Sequence, residues 1–233
     1  MADVTLEISD GTTARAFEAA PDGARAAPGL ILFQEAFGVN AHIRDVAGRF
    51  AGQGYVVIAP EMFHRTADPG FVADYGDFDD VRPHVGALTA EGIAADADAA
   101  YRHLAHHPAV DPDRIAAIGY CMGGRCAWIA NATQPLQAAV SYYGGGIVPG
   151  LLDRARLLNA PHLFFWGGKD RHIKAEHRRA IADALDAADR PYVNVEMSAA
   201  DHGFFCDARP AYHADSAAES WALTLEFLKR NLS

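Results

Sequence analysis

The chain has 233 residues, half of them hydrophobic, with 30 acidic against 20 basic side chains and a formal net charge of −10. That length buries one sizeable core and predicts a single domain over residues 1–233. An acidic chain without any Lys/Arg run excludes a general nucleic-acid binder and an anionic membrane surface as partners.

The N-terminal stretch MADVTLEISDGTT shows no basic region leading into an apolar core, so no secretion signal is expected. The longest apolar runs, PGLILF and YVVIAP, are far too short to span a bilayer. Three cysteines, Cys121, Cys126 and Cys206, do not form a disulfide framework. A reducing compartment, the cytoplasm, is the expected location.

In chain order, VTLEI and ARAFEA predict two short strands joined by the turn SDGTT, an antiparallel start. GLILFQ is a continuous apolar run, as in a strand buried on both faces of a parallel sheet. A helix over roughly 41–53 and the strand YVVIAP follow. Residues 60–91 break the rhythm with aromatics, acids, Gly and Pro, and predict a partly helical excursion over a binding pocket. A helix over roughly 92–107 leads to the strand RIAAIGY, and another helix opens near Gly123 and ends near Asn131. LQAAVSYY, HLFFWG and YVNVEM predict three more strands, with a helix over about 174–188 between the last two. The closing segment SAAESWALTLEFLKRNL carries an apolar stripe, Trp221, Leu225 and Leu228, at helical spacing. Strands alternating with helices predict an α/β class, a mostly parallel central sheet covered by helices on both faces. Ligands in such sheets bind at the carboxyl ends of the strands.

The chemistry is expected where RIAAIGY runs into a helix. Gly119-Tyr120-Cys121-Met122-Gly123 has the spacing of a nucleophile elbow, with cysteine at its centre. The central residue of such a turn is strained and projects into the pocket, and glycine is needed two positions to either side to avoid a clash. The following helix directs its N-terminus at the sulfur, which favours a thiolate. Cys126, five residues on, is read as core.

In this arrangement the nucleophile, the acid and the histidine follow in that order along the chain. HLFFWGGKD sets Asp170 just after a buried strand, and YVNVEMSAADHGFF sets His202 in the loop after the last strand. Asp201 is the alternative acid. His103, His106 and His107 are read as a solvated helix face. No metal is expected there, since the glutamate of an HExxH site is missing.

The chain resembles the dienelactone hydrolases (carboxymethylenebutenolidases), members of the α/β-hydrolase fold. The resemblance rests on Phe33-Gln34-Glu35-Ala36-Phe37-Gly38-Val39-Asn40, Ala59-Pro60, Met62-Phe63, Gly119-Tyr120-Cys121-Met122-Gly123-Gly124, Gly167-Gly168-Lys169-Asp170 and His202-Gly203-Phe204. It implies hydrolysis of a lactone or small carboxylic ester by a Cys121, Asp170 and His202 triad, without cofactor or metal. It further implies an oxyanion hole from the backbone N–H groups of Ala36 and Met122, and a role for Glu35 beside the cysteine. A carboxylate next to a thiol opposes its ionisation, so Glu35 is expected to hold Cys121 neutral until substrate arrives.

The family holds its substrate's carboxylate with two arginines, and here the chain departs. Arg82 is the candidate for the first. After His202 the chain continues Gly203-Phe204-Phe205-Cys206 and delays arginine to Arg209, so the second is expected to be missing from its usual place. Arg125, one turn into the elbow helix, is an extra cation, read mainly as structural. Phe37, Tyr120 and Phe204, with these three arginines, complete the expected substrate-binding set. The partner is a small ester or lactone, with an anionic one left open, and the protein is expected to be a monomer or small homo-oligomer. The alternatives are a broad carboxylesterase or thioesterase using the same residues, or a binding protein on the same scaffold.

Overall fold

The computed structural model describes all residues, 1–233. Eight strands form one sheet: β1 (Ala2–Glu7), β2 (Thr13–Ala19), β3 (Ala27–Phe33), β4 (Val56–Pro60), β5 (Val110–Tyr120), β6 (Ala138–Tyr142), β7 (His162–Gly167) and β8 (Tyr192–Met197). Six helices join them: α1 (Ala41–Gly52), α2 (Phe78–Ala87), α3 (Ala90–Ala105), α4 (Met122–Thr133), α5 (Ala175–Ala187) and α6 (Ala214–Asn231). The strand order is β1-β2-β4-β3-β5-β6-β7-β8; β2 is antiparallel to both of its neighbours, β1 and β4, and every other pair is parallel.

The central strands read as unbroken apolar runs because helices cover both faces. Residues of β4, β6 and β7 are buried without exception. Local chemistry sets the helix starts. Asn40 caps α1 by accepting from the Ile43 N–H at 3.2 Å, and Thr89 caps α3 by accepting from Gly92 at 3.0 Å. Trp221 of the closing stripe packs on Phe50 of α1, with ring centroids 4.5 Å apart.

Two expectations need correction. His103 and His107 are not a solvated face: both are partly buried, and His103 Nε2 lies 2.6 Å from the carboxylate of Glu18 on β2. Helical periodicity cannot see a partner 85 positions away. The connection from β6 to β7 also holds a 3₁₀ turn over Leu152–Leu157 where the sequence suggested no helical element. No helix is long and apolar enough to cross a membrane.

Candidate active site

The switch from β5 to α4 builds the site. Cys121 has φ 54° and ψ −118°, a strained conformation for a residue with a side chain. It is held there by its own N–H, which donates to Tyr142 O at 3.0 Å, and by its carbonyl, which accepts from Gly124 N at 3.0 Å. The turn is so tight that a Cβ on Gly123 would lie 2.4 Å from the carbonyl oxygen of Phe33, and one on Gly124 would lie 2.4 Å from Gly144 Cα. Glycine is required at these positions by close backbone approach.

Three side chains line up through hydrogen bonds. His202 Nε2 lies 3.1 Å from Cys121 Sγ, and Nδ1 lies 2.8 Å from Asp170 Oδ2. Asp170 is itself fixed: its Oδ1 accepts from the N–H groups of His172 at 2.7 Å and Ile173 at 3.0 Å. Asp201 accepts instead from the backbone N–H of His202 and makes no hydrogen bond to the imidazole. Burial alone would lower the pKa of His202, but the negative charge of Cys121 and the carboxylate of Asp170 outweigh it and push the value up to about 10. Burial would raise the Asp170 pKa; the hydrogen bond from His202 and the two backbone donors hold it below its ordinary value. Tyr143 packs against the imidazole at 5.1 Å between ring centroids and fixes its plane.

The line opens into a cavity of about 390 Å³ walled by Ala36, Phe37, Phe78, Val85, Met122 and Arg125, among others. Phe78 and Val85 belong to α2, so the 60–91 segment supplies one wall. The Ala36 N–H donates to no protein acceptor, and Met122 opens α4, where the first N–H groups have no intrahelical partner. Ala36 and Met122 line the same cavity as Cys121. Gln34 braces the Ala36 loop, donating to Glu35 O at 3.2 Å and accepting from Met62 N at 3.1 Å.

The cations are distributed differently from the expectation. Arg82 is exposed, pairs with Asp79 on the same helix at 2.8 Å and does not reach the cavity. Arg209, expected to be out of place, does line it, because the chain folds back after Phe205 and sets the guanidinium against Gly203. There it pairs with Glu35 Oε1 at 3.1 Å. Glu35 therefore faces an arginine and shares no hydrogen bond with Cys121, whose partner is His202. This undercuts the expectation that Glu35 holds the thiol neutral. Arg125 also lines the cavity; it makes no ion pair, spends Nη2 on Val85 O at 3.2 Å and leaves Nε unpartnered.

Tyr120 and Phe204 are not wall residues. Both are fully buried, Tyr120 stacked on Tyr142 and Phe204 edge-on to Tyr143, and they support the floor from behind. Cys126 is also fully buried in the core. The sequence reading missed His172, which lines the cavity with its ring 5.3 Å from that of His202. Its place two residues after Asp170 was the available signal.

Comparisons with known proteins agree with this architecture. Residues 14–232 match the model of the dienelactone hydrolase family. A protein of Escherichia coli (strain K12) named "Putative carboxymethylenebutenolidase" is 36% identical over 99% of this chain and 87% of its own length. The carboxymethylenebutenolidase of Pseudomonas putida is 31% identical over 97% of this chain and 94% of its own. The crystal structure named "Putative Dienelactone Hydrolase" from Klebsiella pneumoniae subsp. pneumoniae superposes with a TM-score of 0.87 at 34% identity, covering 98% of both chains. The chain belongs to the dienelactone hydrolase family, a family of ester and lactone hydrolases with the α/β-hydrolase fold.

Proposed function

We propose that this protein hydrolyses a small lactone or carboxylic ester through a covalent Cys121 acyl-enzyme, and that its substrate carries a negative charge recognised by Arg125. The observation that carries the reading is the hydrogen-bonded line Asp170–His202–Cys121 at the mouth of a cavity with two free N–H donors. Cys121 passes its thiol proton to His202 Nε2 as Sγ attacks the acyl carbonyl, and the oxyanion that forms accepts hydrogen bonds from Ala36 and Met122 N–H. His202, stabilised as imidazolium by Asp170, gives its proton to the leaving alkoxide oxygen as the C–O bond breaks. Water then enters, His202 takes one of its protons, and the resulting hydroxide adds to the thioester carbonyl and displaces sulfur, which takes the proton back from His202 as the carboxylic acid is released. A thiol nucleophile has to stay reduced to work, which favours the cytoplasm.

The anionic preference rests on Arg125. Arg82 is turned to solvent and Arg209 is engaged by Glu35, which leaves Arg125 as the cavity guanidinium with no acid beside it. A charged hydrogen bond is worth about 1.5–3 kcal/mol. Arg125→Met should therefore raise KM for a carboxylate-bearing lactone such as dienelactone by roughly 10- to 150-fold, and leave a neutral activated ester within about 2-fold. Cys121→Ala should abolish turnover of both. Equal effects of Arg125→Met on the two substrates would discard the anionic preference. Turnover surviving in Cys121→Ala would discard the acyl-enzyme.

A further inference from the structure

Beside the Glu35–Arg209 pair, three buried side chains of metal-binding type converge. Glu35 follows β3, His42 lies in the first turn of α1, and Cys206 lies in the loop after β8. One donor-type atom from each lies within 4.8 Å of the other two. Glu35 and Cys206 are fully buried and His42 is 6% exposed.

Their hydrogen bonding is incomplete. Arg209 satisfies Glu35 Oε1, but Oε2 has no partner, and neither ring nitrogen of His42 has one. A buried polar group left unpaired costs about 1–3 kcal/mol, so an imidazole with two such atoms calls for a ligand. Cys206 Sγ meets the Tyr75 hydroxyl at 3.2 Å and the backbone of Ala208.

The surroundings supply the other requirements of a metal site, an outer partner and an access route. His42 Nδ1 lies 3.6 Å from Asp207 Oδ1, too far for a hydrogen bond but suited to orient the ring once Nε2 is engaged. His42 and Tyr75 also line a surface cavity of about 370 Å³ whose walls include Asp74, Asp77 and Asp80. Acidic walls concentrate cations.

We propose that Glu35, His42 and Cys206 form a binding site for a divalent cation of the zinc class. Thiolate, imidazole and carboxylate together select zinc-like ions over magnesium or calcium. Metal–ligand bonds of about 2.0–2.3 Å in a tetrahedron hold donors roughly 3.3–3.6 Å apart, so these donors draw in by at most about 1.5 Å on binding. The metal–sulfur bond forms as the thiol loses its proton to solvent; no electron is transferred. A water from the acidic cavity completes the coordination. Because Glu35 is shared, an ion on Oε2 weakens its hold on Arg209 and couples occupancy to the charge of the cavity next door.

The test uses full-length protein carrying Cys121→Ser, so that the thiol next to His202 cannot compete, stripped with a chelator and titrated with Co²⁺. One equivalent should bind, with a sulfur-to-cobalt charge-transfer band and intense tetrahedral visible bands, and Zn²⁺ should displace it. Adding Cys206→Ser, a near-isosteric change, should remove the charge-transfer band, and His42→Gln should collapse the visible bands. Asp207→Asn should keep the spectrum and weaken affinity 10- to 100-fold. Circular dichroism establishes that each variant is folded. No binding to the Cys121→Ser protein, or a spectrum unchanged by Cys206→Ser, overturns the proposal. The readout does not involve ester turnover, so failure here leaves the hydrolase reading intact.

Discussion

Replacing Gly119 by alanine tests the elbow with a single methyl group. An ideal Cβ at this position would lie 1.9 Å from the carbonyl oxygen of Gly123, 2.2 Å from its carbon and 2.9 Å from Gly124 N. Non-bonded carbon contacts are comfortable only near 3.5 Å, so α4 must recede from β5 by roughly 1–1.5 Å. Every atom in the way is backbone, and no side-chain rotation can relieve it. The first turn of α4 must therefore move, and it carries the Met122 N–H and begins at Cys121.

The two consequences can be sized. A misplacement of about 1 Å between reacting groups costs on the order of 100-fold in rate. Overpacking of this kind costs about 1–3 kcal/mol in stability, or about 2–12 °C in Tm for a chain of this length. The assay pairs kcat on an activated ester with a thermal melt, and Gly86→Ala is the control. Gly86 lies in α2, and a methyl group there would meet nothing within 4 Å, so alanine should be neutral or stabilise by up to about 1 kcal/mol. A Gly119→Ala protein with kcat within about 3-fold of wild type would refute the steric account of the elbow.

Three further outcomes follow from the same geometry. Asp170→Asn should lower kcat by about 10⁴-fold with little change in fold, because the amide stabilises the wrong imidazole tautomer; steady-state kinetics and circular dichroism check this, and a loss under 10-fold would remove Asp170 from the mechanism. His202 should titrate near 10 by NMR, and at a clearly lower pH in Cys121→Ala, where its largest favourable charge is gone and only Asp170 opposes burial. Since its folded pKa is raised above an unfolded value of about 6.5, the stability advantage of wild type over His202→Gln should be flat below that pH and fade as pH rises towards 10. Asp96→Asn should destabilise by about 3 kcal/mol in urea unfolding: this fully buried carboxylate takes both Arg65 Nη atoms, at 2.8 and 2.9 Å, with His64 at 3.0 Å, and the partial exposure of Arg65 keeps the loss at the low end for a broken buried pair.

What was legible in the sequence was local. The alternation of β and α segments is written in short apolar periods, and Gly119 answers to a steric demand four residues away, at Gly123, whereas Gly123 and Gly124 are required by distant backbone at Phe33 and Gly144. Chain order alone put Asp170 after β7 and His202 after β8, where the structure has them 2.8 Å apart. The cation pattern was not legible, because it depends on how loops return. Arg82 and Arg209 were weighed by their distance along the chain from familiar motifs, whereas folding of the 203–213 loop decides which guanidinium reaches Glu35. His42 was invisible for a related reason: on α1 it reads as an ordinary helix position, and only the docking of Cys206 and Glu35 beside it shows a buried ring without partners.

The redistribution of cations bears on selectivity. An arginine on an excursion loop adapts its position to the substrate at an entropic cost; Arg125 sits one turn from Cys121 on α4, whose glycines are locked against β3 and Gly144. A charge anchored to the same rigid element as the nucleophile fixes the distance between the recognised anion and the attacked carbonyl. That geometry favours one spacing of substrate carboxylate to ester bond and penalises longer and shorter homologues. Arg209, by contrast, is paired with Glu35, so under the same proposal any contribution it made to binding would depend on the state of the buried Glu35, His42 and Cys206 cluster. On the proposed anionic preference, substrate choice would divide between a cation fixed on α4 and a conditional one paired with Glu35.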